Sequence, residues 1–351
     1  ISRDQHQGVM LGYSLAYEAT DDEAIKELIR EDVVELVEQL MVSQPKTVQI
    51  TTSQTPTPIP FTVTLQYCIY TAHETPSGDP EIYIDFDDIE SSTATGYQEF
   101  DPLFYNHLAD QIPLLGWLPE IPRSGSAIML SSFFKVALQV TEGVPAYASR
   151  RAWIEQHYAD NVGWWLDVAE NPLGYESAYS CGDKYYSKNI RFEPMYNLAR
   201  LETDPALQAR IRGTILDGLM WSEVEDHKNV FFAYIYAANQ TSNATIEAIA
   251  DDHTDQLVQF RLPPNADVPL DLTGQYPDDP ECPGQSTVAT DVGHRAVGDF
   301  MWQRHPFDLE DEDHSHLVYP GVDYMVAYWM GRHHGYVEDD APGTCLQWQD
   351  P

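Results

Sequence analysis

Between residues 301 and 340 the chain reads MWQRHPFDLEDEDHSHLVYPGVDYMVAYWMGRHHGYVEDD, its densest gathering of side chains able to do chemistry. Trp302, Arg304 and His305 precede a carboxylate run of Asp308, Glu310, Asp311 and Asp313. Tyr324, Tyr328 and Arg332 then recur every fourth residue, which puts them on one face of a helix, with Trp329 beside them. A sugar site needs such pieces: aromatic faces stack on pyranose rings, Arg pairs with a uronate carboxylate in a fork, and His or Tyr moves a proton near neutral pH. Further along these lines, CGDKYYSKNIRFEPMYN places Tyr185, Tyr186, Lys188, Asn189 and Glu193 at a helix start, and WSEVEDHKN places Glu223, Asp226 and His227 before another. SRDQHQG sets Arg3, Asp4 and His6 ahead of the first helix. The expected catalytic set is Tyr186, Glu193, His227, Arg304 and His305; the expected substrate-binding set is Trp302, Tyr324, Tyr328, Trp329 and Arg332. The competing reading makes the helical Tyr and Trp residues core and the polar ones caps and surface.

Asp308, Glu310, Asp311 and Asp313 are also the expected ligands of a Ca²⁺ ion, as are Asp85, Asp87 and Asp88, although no cofactor is required by the chemistry above. Neither HExxH nor an EF-hand loop is present, and no GxSxG, P-loop or dinucleotide glycine pattern occurs. Charge narrows the partners: 19 Lys and Arg face 56 Asp and Glu, a net charge of −37, which removes the cationic footprint a nucleic-acid binder needs. Only 6 of the 19 cations are Lys, as in proteins of salty habitats. No apolar run approaches the ~18 residues of a membrane span.

The elements that must position these groups are mostly helices. Thr20 is expected to cap a helix with Glu23 reaching back, ahead of Ile25, Leu28, Val33, Leu36 and Leu40. A second copy lies 183 residues on: YSLAYEATDDEAIKELIR matches YNLARLETDPALQARIRG, with Asp204 as cap, Pro205 at the first helical position and an apolar series Leu207, Ile211, Ile215 and Leu219. Further helices are expected at 98–117, 125–141, 146–169, 228–238, 243–258, 292–303 and 321–334, a β-hairpin insertion at about 47–90, and a long loop at about 262–290. Cys68, Cys181, Cys282 and Cys345 form no CxxC; at least one disulfide is expected, with Cys282 and Cys345 both in loop sequence. Asn239 and Asn243 match the glycosylation acceptor pattern. The chain begins at Ile1 in mid-pattern, so a preceding stretch is expected to have been removed.

Helix pairs that repeat along the chain, with a late polar insert, resemble the α/α toroid proteins, in which inner and outer helices alternate around a funnel. The resemblance is architectural and covers most of the chain. It implies a mainly α fold, a complete or incomplete toroid over residues 1–351 as one domain, and an exported or cell-surface carbohydrate-active enzyme, a polysaccharide lyase or glycoside hydrolase. The alternative is a non-catalytic extracellular subunit of a surface layer, filament or adhesion assembly. Its helical array would serve partner binding, and a homo-oligomer would follow.

Overall fold

The computed structural model of the chain describes residues 2–52, 55–70, 81–85, 93–95, 97–175, 181, 185–260, 270–295, 300–311 and 321–337. These are mainly helical, with a small sheet. The chain divides into two compact units, one made of Ile1–Glu176 and Glu193–Ile215, the other of Ser177–Phe192 and Leu216–Pro351.

In the first unit α1 (Arg3–Ala19) opens on a reciprocal box: Ser2 Oγ accepts the Gln5 N–H and Gln5 Oε1 accepts the Ser2 N–H. The next helix, α2 (Glu23–Met41), starts at Asp22 and not at Thr20. The Asp22 carboxylate accepts the N–H groups of both Ala24 and Ile25, while Thr20 Oγ1 accepts only the N–H of Asp22. An anion beside the first turn also complements the helix dipole, so it takes the cap from the hydroxyl. The buried stripe of α2 runs through Ile29, Val33, Val37 and Leu40, leaving Ile25 and Leu28 exposed.

Six strands follow: β1 (Gln44–Thr52), β2 (Thr55–Leu65), β3 (Cys68–Tyr70), β4 (Glu81–Asp85), β5 (Thr93–Thr95) and β6 (Tyr97–Glu99). β1 and β2 form the antiparallel hairpin that the alternation predicts, and β4 adds in parallel to the other side of β1, giving the order β2-β1-β4-β5. The prolines at 56, 58 and 60 sit in β2, an edge strand, where a missing N–H costs no ladder bond. Val48, Ile50, Val63, Ile82 and Ile84 pack with Phe104 and Leu108 of α3 (Phe104–Gln111).

At the centre of this unit is α4 (Ser124–Val140), buried along nearly all of its length, its small serines included. It packs against α1, α2 and α5 (Ala148–Ala169). Its one cation, Lys135, is buried and lies 3.4 Å from Glu202 Oε1, whose other oxygen accepts the Tyr158 hydroxyl at 2.7 Å. Pairing is what permits a charge at that depth.

The second copy of the helix pair begins with α6 (Tyr186–Leu201) and continues through α7 (Pro205–Ala209), a π-helical stretch over Arg210–Trp221 and α8 (Ser222–Val224). Asp204 caps α7 as expected, its carboxylate accepting the N–H groups of Ala206 and Leu207, with Pro205 in the first helical position. In the second unit α9 (Val230–Ala238) is buried throughout and packs against α10 (Asn243–Val258) and α11 (Val322–His333). The helix expected at 292–303 is instead two short 3₁₀ turns, Val292–His294 and Met301–Gln303. At Gly293 a Cβ would lie 2.8 Å from the carbonyl oxygen of Gln259, so the close approach of the first turn to the end of α10 requires glycine there. β7 (Leu270–Asp271) pairs with β8 (Glu310–Asp311), so part of the long loop is held as sheet. The disulfide joins Cys181 to Cys282; Cys68 is a buried free thiol, and Cys345 lies outside the described residues. Asn239, one of the two sequons, is buried at the end of α9 with its amide donating to the Ile235 carbonyl, which closes it to a glycan; Asn243 is exposed.

Candidate functional site

Four rings of the second unit meet around Tyr185. This residue stands just ahead of α6, buried against Phe232 with ring centroids 6.1 Å apart and planes at 18°. Its hydroxyl lies 3.2 Å from Nδ1 of His227, and its ring is 5.7 Å from that of His305. Phe307 completes the set, edge-on to His227 at 5.0 Å and 5.4 Å from His305.

Local structure explains why His227 is presented here. After α8 the chain turns at Lys228, whose φ of 49° lies in the left-handed region that usually takes glycine. Asn229 then caps α9 by accepting the Phe232 N–H, and its amide donates to the Trp302 carbonyl at 2.9 Å. The same amide lies 3.5 Å from the Tyr185 oxygen and donates to it, so Asn229 ties the Tyr185 hydroxyl to the start of α9. Arg295, fully enclosed, donates to the carbonyl oxygens of His227 and Thr290 at 2.7 and 2.8 Å, and burial pulls its pKa down to about 10.

His227 lines a cleft of about 470 Å³ together with Glu223, Glu225, Asp226, Val288 and Phe307, among others. Glu223 is ion-paired with two buried cations of α6, Lys188 and Arg191. These stand three residues apart and so share a helix face. Lys228 is held by Asp291 Oδ1 at 2.5 Å. The far wall comes from the long loop, whose strands of backbone are tied to the 306–309 segment by Ser286 N–H to Phe307 O, Thr290 N–H to Pro306 O and Leu309 N–H to Gly284 O. The disulfide at Cys282 anchors the same loop.

Of the expected catalytic residues, His227 and His305 come together around Tyr185. Arg304 is half-buried next to His305 in the chain. Tyr186 is 44% exposed and has no ring contact with this cluster; Tyr185, its neighbour, takes the inward place. Glu193 belongs to the first unit, where it accepts a hydrogen bond from Gln7 Nε2 at 2.8 Å.

The expected substrate-binding residues do not line this cleft. Trp302 is fully buried, its indole N–H donating to the Asp323 carbonyl at 2.7 Å, so no face is left for a sugar. On α11, Tyr324 and Tyr328 stack 5.7 Å apart at 13°, and Arg332 Nη1 donates to the Tyr328 hydroxyl. Trp329 is 60% exposed. Among the expected metal ligands Asp308 accepts from Gln285 Nε2 and lies 3.7 Å from His305 Nδ1, and Glu310 is exposed in β8. The backbone of Asp311 pairs with Leu270, and Asp313, Asp87 and Asp88 lie outside the described residues. Among the described residues no three His, Cys, Asp or Glu side chains gather as a metal site would require.

Tyr185, Lys188, Asn229 and Arg295 complete the site. Tyr185 and Lys188 stand in the CGDKYYSKN motif, whereas Asn229 and Arg295 carry no such signal in the sequence. Comparison with known protein families, with proteins of curated function and with solved structures finds no match to this chain.

Proposed function

We propose that the cleft beside His227 hydrolyses a neutral or amino-sugar polysaccharide, as the site of an exported carbohydrate-active enzyme built on α/α toroid-like helix pairs. The observation that carries this reading is a histidine oriented from behind by Tyr185 and opening onto a cleft shared with Glu223, Glu225 and Asp226. His227 is the proton carrier, and Asp226 beside it stabilises positive charge developing on the sugar. Among the described residues beside the cleft Lys188 and Arg191 pair with Glu223 and Lys228 with Asp291, which favours hydrolysis over an elimination that needs a cation on a uronate. The acidic lining also repels a polyuronate. Export is supported by the Cys181–Cys282 disulfide, which persists in oxidising surroundings. Incubation with neutral, amino-sugar and uronic-acid polysaccharides, followed for new reducing ends and for absorbance of an unsaturated product, tests the reading. New reducing ends that vanish in His227→Gln support it; an unsaturated product, or no reaction with any polymer, overturns it.

The non-catalytic reading rests on a different observation. Val322, Met325 and Trp329 are exposed at i, i+3 and i+7 of α11, an apolar stripe of the kind that partners cover. Sedimentation of the wild type and of Trp329→Glu separates the two readings, since a structural subunit should lose self-association in the variant.

A further inference from the structure

A second group of rings, in the first unit, has the features of a ligand site that none of the sequence motifs indicated. Asp101 is buried just ahead of α3; one carboxylate oxygen accepts the Leu103 N–H at 2.9 Å and the other lies 2.6 Å from Nδ1 of His107. The His107 side chain is 43% exposed, and its Nε2 has no hydrogen-bond partner among the described residues. Its ring meets Trp164 of α5 edge-on at 6.0 Å. Trp164 is itself fixed, its indole N–H donating to Asn161 Oδ1 at 3.0 Å. Asn161 Oδ1 also receives the Tyr67 hydroxyl at 3.3 Å, and His157 Nε2 is 3.4 Å from the same hydroxyl.

The backbone under this group is strained. Tyr67 has φ 55°, in the left-handed region that a bulky side chain adopts only at a cost. It is held there by its N–H donating to Leu40 O at 3.1 Å and its carbonyl accepting the Phe100 N–H at 2.8 Å. Strain of this kind clusters at sites that have a use. Along α5, Trp153, His157, Asn161 and Trp164 fall at i, i+4, i+8 and i+11, one face about 16 Å long at the helical rise, with Trp153 48% exposed at its end.

The geometry points to Asp101, His107 and Trp164 as a binding site for a neutral oligosaccharide, laid along this face of α5. Trp164 is half-buried against Tyr67 and Trp165, and the part of its indole left open provides the apolar surface on which a pyranose rests, while His107, locked by Asp101 through Nδ1, offers Nε2 to a sugar hydroxyl. Trp153 receives a further sugar of a longer chain. The site stands on other residues than the His227 cleft and holds whether or not that cleft hydrolyses anything.

Calorimetric titration of the full chain with neutral gluco-oligosaccharides of increasing length, with histidine ring NMR followed in parallel, tests it. Wild type should bind, the His107 ring signal should move, and Trp164→Ala should weaken binding about tenfold. Trp153→Ala, a surface change that leaves the core intact, should weaken only the longer chains. Absence of binding by every oligosaccharide overturns the site. So does binding that both tryptophan variants retain in full, or binding abolished by His227→Gln and unaffected at His107.

Discussion

His107 in the first unit and His227 in the second are held in place by different chemistry. Asp101, an anion, grips His107 at Nδ1, and this bond is the leading cause that raises the His107 pKa above the ordinary 6.5. Tyr185, a neutral hydroxyl, lies 3.2 Å from the same atom of His227 and orients that ring without a formal charge of its own. The comparison teaches that a buried carboxylate and a buried hydroxyl can each fix an imidazole through Nδ1, the carboxylate adding a charge that favours the protonated ring.

The largest effect is expected on catalysis. His227→Gln should lower the rate of polysaccharide hydrolysis roughly 10²–10⁴-fold, while His107→Gln should leave it within a factor of a few, because only the first residue is assigned a proton to move. Reducing-end assays on the purified variants measure both. Equal losses would erase the distinction between the two rings.

Stability should separate them in the opposite sense. Asp101→Ala removes two part-buried hydrogen bonds and is expected to cost about 2 kcal/mol in urea unfolding. Tyr185→Phe removes one hydroxyl with its His227 and Asn229 contacts and is expected to cost about 1 kcal/mol. If the tyrosine variant is the less stable, the partner of His227 carries more of the fold than its neutral chemistry implies.

The pH dependence follows from the signs. Because the folded pKa of His107 is raised, its contribution to stability is fully present below pH 6.5 and is lost as pH climbs through the folded value. Thermal melts should therefore show a gap between wild type and His107→Gln that is wider at pH 6 than at pH 8. Burial lowers the pKa of His6, His157 and His253, so their contribution is present above pH 6.5 and fades as pH falls toward their folded values. A wild type that gains stability steadily on acidification would contradict that assignment.

The smallest effect concerns neither ring but the medium around both. At net charge −37 the folded chain repels itself, and NaCl should raise the melting temperature by screening. CaCl₂ at equal ionic strength should raise it further only where Ca²⁺ occupies carboxylates such as Asp308 and Glu310. A melting temperature flat across both titrations would show that the acidic groups are already well spaced.

Much of the helical framework was legible because periodicity and capping act over a few residues. Asp204 with Pro205 marked α7, and the predominantly apolar runs SAIMLSSFFKVALQV and VFFAYIYAA marked the two central helices. The register of the second helix copy was not legible. Leu219, on the i+4 series, is only half-buried, because the i→i+5 bonding of the Arg210–Trp221 stretch turns Leu216 and Met220 inward instead. Both copies share Thr-Asp at the turn, yet one continues as α-helix and the other as π-helix.

For the sites, the sequence determined which residue types were available and which local faces they shared, such as Tyr324 with Tyr328 and Arg332. Adjacent residues defeated it. Tyr185 and Tyr186 are the same residue type side by side, and only packing against Phe232 decides that the first turns inward to His227. Trp302 reads as a sugar platform until its indole is found buried on the Asp323 carbonyl. Asp101 meets His107, and His107 meets Trp164, across separations of 6 and 57 residues that follow no helical or strand period. Such pairings are set by how whole elements pack, since burial is a property of three-dimensional neighbours, whereas capping, periodicity and charge balance are carried by the chain itself.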